Sequence, residues 1–180
     1  MKQEKRHQPY RQGHLDCLCG VYAVVNAVKR LCGPIDDEEA TELFNALLTF
    51  LEKHDLLQAC TWGVIQGQVT RLLNQVVCKQ YPILKHKPYR CARNLSLDAY
   101  WKSVQQFIDT EHGVVLTGIG GHHDHWTLID RVTEHNFILY DSSGIRRLNR
   151  RQCALSSSPP GNHRHILYPI QTYFLWVNTP

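Results

Sequence analysis

The chain has 180 residues, 43% apolar and 20% charged, the balance of an ordinary globule and not of a disordered polymer. That length predicts one domain over 1–180, with enough apolar surface to build a core without staples. The net charge is +4. No apolar run approaches the roughly 20 residues of a spanning helix, and residues 1–7 carry no apolar h-region, so the expectation is a cytoplasmic protein with no membrane partner.

In chain order, residues 1–13 are polar and read as extended. Val21, Val24, Val25, Val28 and Leu31 recur at three- and four-residue steps, which predicts a helix over 17–32 with Asp16 as N-cap and a stop at Gly33-Pro34. Asp36-Asp37-Glu38-Glu39 opens a second helix to about residue 53, its acids complementing the helix dipole. Thr61 is read as the cap of a third helix over 62–79, and Ser96 as the cap of a fourth over 97–110.

The second half reads as strands. Residues 114–117 form a short apolar run closed by Gly118-Ile119-Gly120-Gly121. Residues 125–132 and 137–141 flank a polar turn and form a hairpin. A short strand is expected near 145–148, a loop over 156–162, and a last strand over 165–177, rich in Ile, Tyr, Phe and Trp. Helices followed by antiparallel strands imply an α+β fold.

Seven cysteines, an odd number at irregular spacings, do not read as a disulfide framework, and most are expected to serve as small buried apolar residues. Cys17 and Cys19 are the exceptions. They sit where a helix begins, and unpaired N–H groups with the helix dipole there favour a thiolate. Gly20 and Ala23 leave the backbone near Cys19 approachable. Farther on, Gly120-Gly121-His122-His123-Asp124-His125 is a Gly-rich turn leading into a strand that starts on His125. If the hairpin turn centres on 133–134, Asp141 falls nearly opposite His125, close enough to orient its imidazole. Asp130 falls on the other face of the strand and Asp124 points away. A thiol at a helix N-terminus, a histidine on a strand and a carboxylate beside it are the components of a cysteine nucleophile with its base and orienter.

These motifs resemble the papain-like cysteine peptidases, especially their small C39-like and Josephin-like members. Cys19-Gly20-Val21-Tyr22-Ala23 with Asn26 resembles their nucleophile helix. His125-Trp126-Thr127-Leu128-Ile129, followed by Asp141-Ser142-Ser143-Gly144, resembles their His and Asp/Asn strands. The resemblance covers about residues 10–32 and 112–148. It implies a papain-like fold, with N-terminal helices, the nucleophile helix among them, packed on a C-terminal antiparallel sheet. It further implies a cysteine peptidase with catalytic Cys19, His125 and Asp141, Gln12 as oxyanion donor, a protein or peptide substrate, and no cofactor or metal. Two features depart from the pattern. The gap from Gln12 to Cys19 is long, and Cys17, after Asp16, is a rival nucleophile.

Other readings remain open. The same triad serves an acyltransferase or transglutaminase. His14, Cys17, Cys19, His122, His123, Asp124 and His125 have the ligand types of a zinc-binding module, although consecutive strand residues alternate faces. A fold that only binds a partner would have no use for all four site residues. The basic run Arg146-Arg147-Leu148-Asn149-Arg150-Arg151 can attract phosphate or an acidic partner, or be a solvated turn. No aromatic residues interleave it, which argues against nucleic acid. Trp62, Trp101, Trp126 and Trp176 are expected in the core, with Trp62 placed to line a cleft. Asn26, on the Cys19 face of its helix, is expected to make a buried structural hydrogen bond.

Overall fold

The structure, a computed structural model, describes residues 8–13, 16–90, 94–159 and 161–177. It is α+β. Helix α1 (Cys19–Leu31) is followed by α2 (Asp37–Glu52), α3 (Leu56–Trp62) and α4 (Gln66–Leu72), the last running through a π-helical turn (Leu73–Val77) into α5 (Cys78–Gln80). Strand β1 (Ile83–His86) and helix α6 (Leu97–Glu111) precede β2 (Val114–Gly121), β3 (His125–Val132), β4 (Asn136–Leu139), β5 (Arg147–Asn149), β6 (Cys153–Leu155) and β7 (His165–Val177). Among the described residues, no helix is long and apolar enough to cross a membrane.

The seven strands form one sheet in the order β1-β7-β2-β3-β4-β5. Its pairings are antiparallel except for β6, which runs parallel to the start of β7. Strand β7 is long enough to hold β1 at one end, β6 at the other and β2 along its opposite edge. Strand β2 is buried from Val114 to Gly120, as a strand covered on both faces must be.

Two separate apolar clusters occupy the two faces. On one, Val21, Val24, Val25 and Val28 of α1 pack with Leu43, Leu47 and Leu51 of α2 against Val114, Leu116, Trp126, Leu128 and Tyr173. On the other, Tyr100, Trp101, Val104 and Ile108 of α6 cover Val115, Ile129, Phe137 and Phe174. Trp101 stacks on Phe137 with ring centroids 3.6 Å apart.

The helices begin where side chains satisfy the first free amides. Ser96 Oγ accepts from Ala99 N at 3.1 Å, the cap expected there, and Asp36, read as the first of the helix-opening acids, proves to be a cap as well, its carboxylate accepting from Glu39 N at 2.8 Å. Helix α1 departs from expectation. Its N-cap is Leu18, without a side-chain bond, and Asp16 instead accepts from Leu18 N at 3.0 Å, just upstream.

Thr61 does not cap a helix. Its hydroxyl donates back to Leu57 O at 2.8 Å inside α3, whose own cap is Asp55. The single helix expected over 62–79 is interrupted at Gly63, which ends α3 at φ 92°. Cysteine burial also differs from expectation. Cys19 and Cys153 are buried, Cys60 and Cys78 are half-buried, and Cys17 and Cys32 are exposed, all as free thiols. Cys91 lies outside the described residues.

Gly20 marks a close seam between α1 and the sheet. A Cβ there would stand 3.0 Å from Val64 Cβ and 3.3 Å from Trp126 Cδ1. Gly20→Val is expected to cost about 1–3 kcal/mol through overpacking, read as a lower urea midpoint with an unchanged m-value.

Candidate active site

Three elements converge where α1 meets the start of β3. Cys19 is the first residue of α1 and is buried at 8% exposure. Its amide is the first of the helix, one of those without a partner inside it. The backbone N–H of Trp126 donates to Cys19 Sγ at 3.5 Å. The Trp126 indole donates to Val64 O at 2.7 Å, which holds the loop after α3 against the same strand.

His125 opens β3 and is equally buried. Its Nε2 lies 2.7 Å from Asp141 Oδ2, which leaves Nδ1 as the nitrogen for the Cys19 sulfur, its second side-chain partner. Asp141 is 3% exposed. Its other oxygen, Oδ1, accepts from Ser143 N at 2.8 Å and Ile145 N at 3.0 Å. The carboxylate therefore closes its own loop and holds the imidazole at once.

The hairpin reaches this geometry in a register one residue away from the expected one. Ile129 pairs with Leu139, a bulge follows at Asp130, and the turn closes through Thr133 N donating to Asn136 O. Asp141 lies past the end of β4, and continuing the ladder sets it across from Thr127. It meets His125 as a diagonal neighbour, a span that an Asp and a His side chain bridge easily. Asp130 is turned to α1, where it pairs with Arg30.

Gln12 lies on the extended segment beside this constellation. Asn26, fully buried on α1, grips that segment by its backbone: Oδ1 accepts from Tyr10 N at 2.7 Å and Nδ2 donates to Tyr10 O at 3.0 Å. Gln12 N then donates to Ser142 O at 3.1 Å. The Gln12 amide gives one N–H to Asp16 O, which fixes its orientation and leaves a second N–H to offer.

Gln12, Cys19 and His125 line one cleft of about 550 Å³. Cys17 lines it too, but it precedes α1 and its thiol donates to Thr61 O at 3.4 Å. Compared with protein-family models, curated proteins and solved structures, the chain matches none.

Two further residues shape the cleft: Trp62, which the sequence placed to line one, and Gln171, which it did not single out. Trp62 is 82% exposed on its rim, unlike the buried Trp101 and Trp126, with Ile65 exposed beside it. Gln171 of β7 lies over Gly118, where a Cβ would meet its Oε1 at 1.9 Å, and so reaches the cleft floor. The glycine in β2 was the available signal, since a strand glycine often admits a close neighbour.

The zinc grouping does not form here. Among the described residues, no three His, Cys, Asp or Glu side chains come close enough to hold a metal, and His14 lies outside those residues. His122 and His123 pack against each other in the turn, centroids 4.9 Å apart.

Burial opposes charge on His125 and is the largest single influence on it. The hydrogen bonds and negative charges of Asp141 and Cys19 together outweigh that burial and push the imidazole up from 6.5 to about 9. Asp141 feels the same burial, which raises it, but the bond to His125 and the imidazolium charge hold it below its ordinary value. Because His125 binds its proton more tightly folded than unfolded, its contribution to stability is full below about pH 6.5 and is lost as pH rises through about 9. In NMR titrations the imidazole is expected to stay protonated through neutrality with a midpoint near 9. Asp141→Asn and Cys19→Ala should each move that midpoint down, Asp141→Asn the more. A midpoint that neither variant shifts contradicts the coupling.

Proposed function

We propose that this chain is a papain-like cysteine peptidase, or amide hydrolase, with Cys19 as nucleophile, His125 as base and acid, Asp141 as orienter and Gln12 as oxyanion donor. One observation carries the reading. A single buried imidazole engages the Asp141 carboxylate through Nε2, the Cys19 thiol at the head of a helix sits close enough to help raise it, and both line an open cleft. The order Cys-His-Asp, with a nucleophile helix packed on a sheet that brings the other two, supports the family resemblance.

The proton bookkeeping follows from that geometry. The Cys19 thiol passes its proton to His125 Nδ1, and the sulfur attacks the carbonyl carbon of an amide. The carbonyl π electrons move onto oxygen, where the free Gln12 N–H and the Cys19 backbone N–H donate to the oxyanion. As the oxyanion collapses, the C–N bond breaks and His125 protonates the leaving amine. Water, deprotonated by His125, then attacks the thioester, and collapse of the second tetrahedral species releases the carboxylic acid and restores the thiol. Asp141 holds the imidazole orientation throughout and offsets its positive charge.

The test is intact-mass spectrometry and peptide mapping after a broad peptidyl electrophile at mildly acidic pH, followed by turnover of a fluorogenic peptide-amide library. One adduct on Cys19 is expected, retained in Cys17→Ser and lost in His125→Ala. Preferential labelling of Cys17 would overturn the assignment. On any substrate the library yields, His125→Ala should slow turnover about 100- to 10,000-fold. Gln12→Ala should slow it about 100- to 1,000-fold.

A further inference from the structure

Behind the His125–Asp141 pair lies a second basin of about 450 Å³ that the proposed chemistry does not use. Its lining includes His123, Arg147, Asn149, Gln152, Arg164 and His165, and none of its lining residues is acidic. Arg147 and Arg164 are exposed, and neither belongs to an ion pair among the described residues. Arg150, from the same basic run, behaves differently: it is neutralised by Asp98 at 2.6 Å and lies over the Trp101 ring. Of the run's four arginines, Arg150 is thus tied to α6 and Arg147 lines the concavity.

The floor of this basin holds an unsatisfied polar group. His165 is 5% exposed, stacks against His123 with centroids 5.7 Å apart at 8°, and its Nδ1 is buried without a hydrogen-bond partner among the described residues. A buried nitrogen left unpaired costs free energy, and such groups mark places where a ligand or ion completes the network. Burial and the neighbouring positive groups hold both imidazoles below their ordinary values, and Asp141 only partly offsets this at His123.

The basin also shares its wall with the triad. Ile145 lines it, and Ile145 N is one of the two amides on Asp141 Oδ1. His123 stands two residues before His125 on the same turn. We propose that this basin is an anion subsite that receives an acidic group, a carboxylate or a phosphate, carried by a peptide substrate. Two unpaired guanidiniums offer forked donors that fit such oxyanions. The substrate clause rests on the hydrolase reading above; the anion site itself does not.

The experiment is calorimetric titration of the full chain with inorganic phosphate, and with matched peptides carrying Glu, phosphoserine, Gln or Ser at one position. Acidic peptides should bind at least about tenfold more tightly than their neutral partners, and Arg147→Ala with Arg164→Ala should remove that preference. Arg147→Lys with Arg164→Lys should restore some of it, which a merely misfolded site would not. The Glu and phosphoserine arms show which oxyanion is preferred, and inorganic phosphate shows whether the anion binds without a peptide. Where a peptide is turned over, the double alanine variant should lower kcat/KM for the acidic peptide and leave the neutral one unchanged. Binding preference without turnover keeps the anion site and removes the hydrolase reading. Equal binding of acidic and neutral peptides, or tighter binding of single-stranded RNA through the same two arginines, overturns the proposal.

Discussion

The Asp141 carboxylate is the constraint on which the rest of the site depends. It is almost wholly removed from water, and a buried charge is tolerated only when its lone pairs are occupied. Two backbone amides and one imidazole occupy them. The amides fix the loop from 141 to 145, and the imidazole is thereby fixed in rotation about its ring axis. Removing any one donor leaves a charge that the other two must carry. The loop shape, the histidine orientation and the ionisation of the pair are therefore one cooperative unit and not three separate features.

Around that unit the fold supplies a gap. Helix α1 lies on one face of the sheet and ends its N-terminus at the first residues of β3, so the thiol and the imidazole meet at a boundary between layers. Gly20 lets the helix approach Val64 and Trp126 at contact distance, and the Trp126 indole ties the loop after α3 to the strand. The cleft is what remains between that loop and the turn before β3. Its rim is apolar at Trp62 and Ile65, and its floor is polar at Gln12 and Gln171.

Elements with strong local signals were legible in the sequence. The periodic valines of α1, the acids that open α2, the Ser96 cap, and the β3 and β7 runs lie where the residue pattern places them. What was not legible depends on distant partners. Strands β1 and β6 are three or four residues long and exist because the long β7 leaves one edge open at both of its ends, β2 holding the other. The misread helix over 62–79 followed from treating Thr61 as a cap when Asp55, adopting φ 74°, already was one and Gly63 was the stop. At the candidate site the residue types were readable from spacing, and the structure brings Cys19, His125 and Asp141 together. The bulge at Asp130 and the resulting offset were not readable, because nothing local in 129–131 demands them.

The grip of Asn26 on Tyr10 separates two kinds of integrity. The segment carrying Gln12 has no strand or helix of its own; the Asn26 amide, the bond from Gln12 N to Ser142 O, the Tyr10 hydroxyl on Asp37 and Lys29 over the Tyr10 ring hold it in place. Of its residues, Tyr10 packs against the edge of the α1 core. Release of that strap is a sub-global opening that leaves the two cores in place, so a population of folded molecules includes some whose Gln12 amide is withdrawn from the cleft. Any ligand that favours the docked strap raises the docked fraction by mass action, which makes assembly of the cleft an equilibrium of its own.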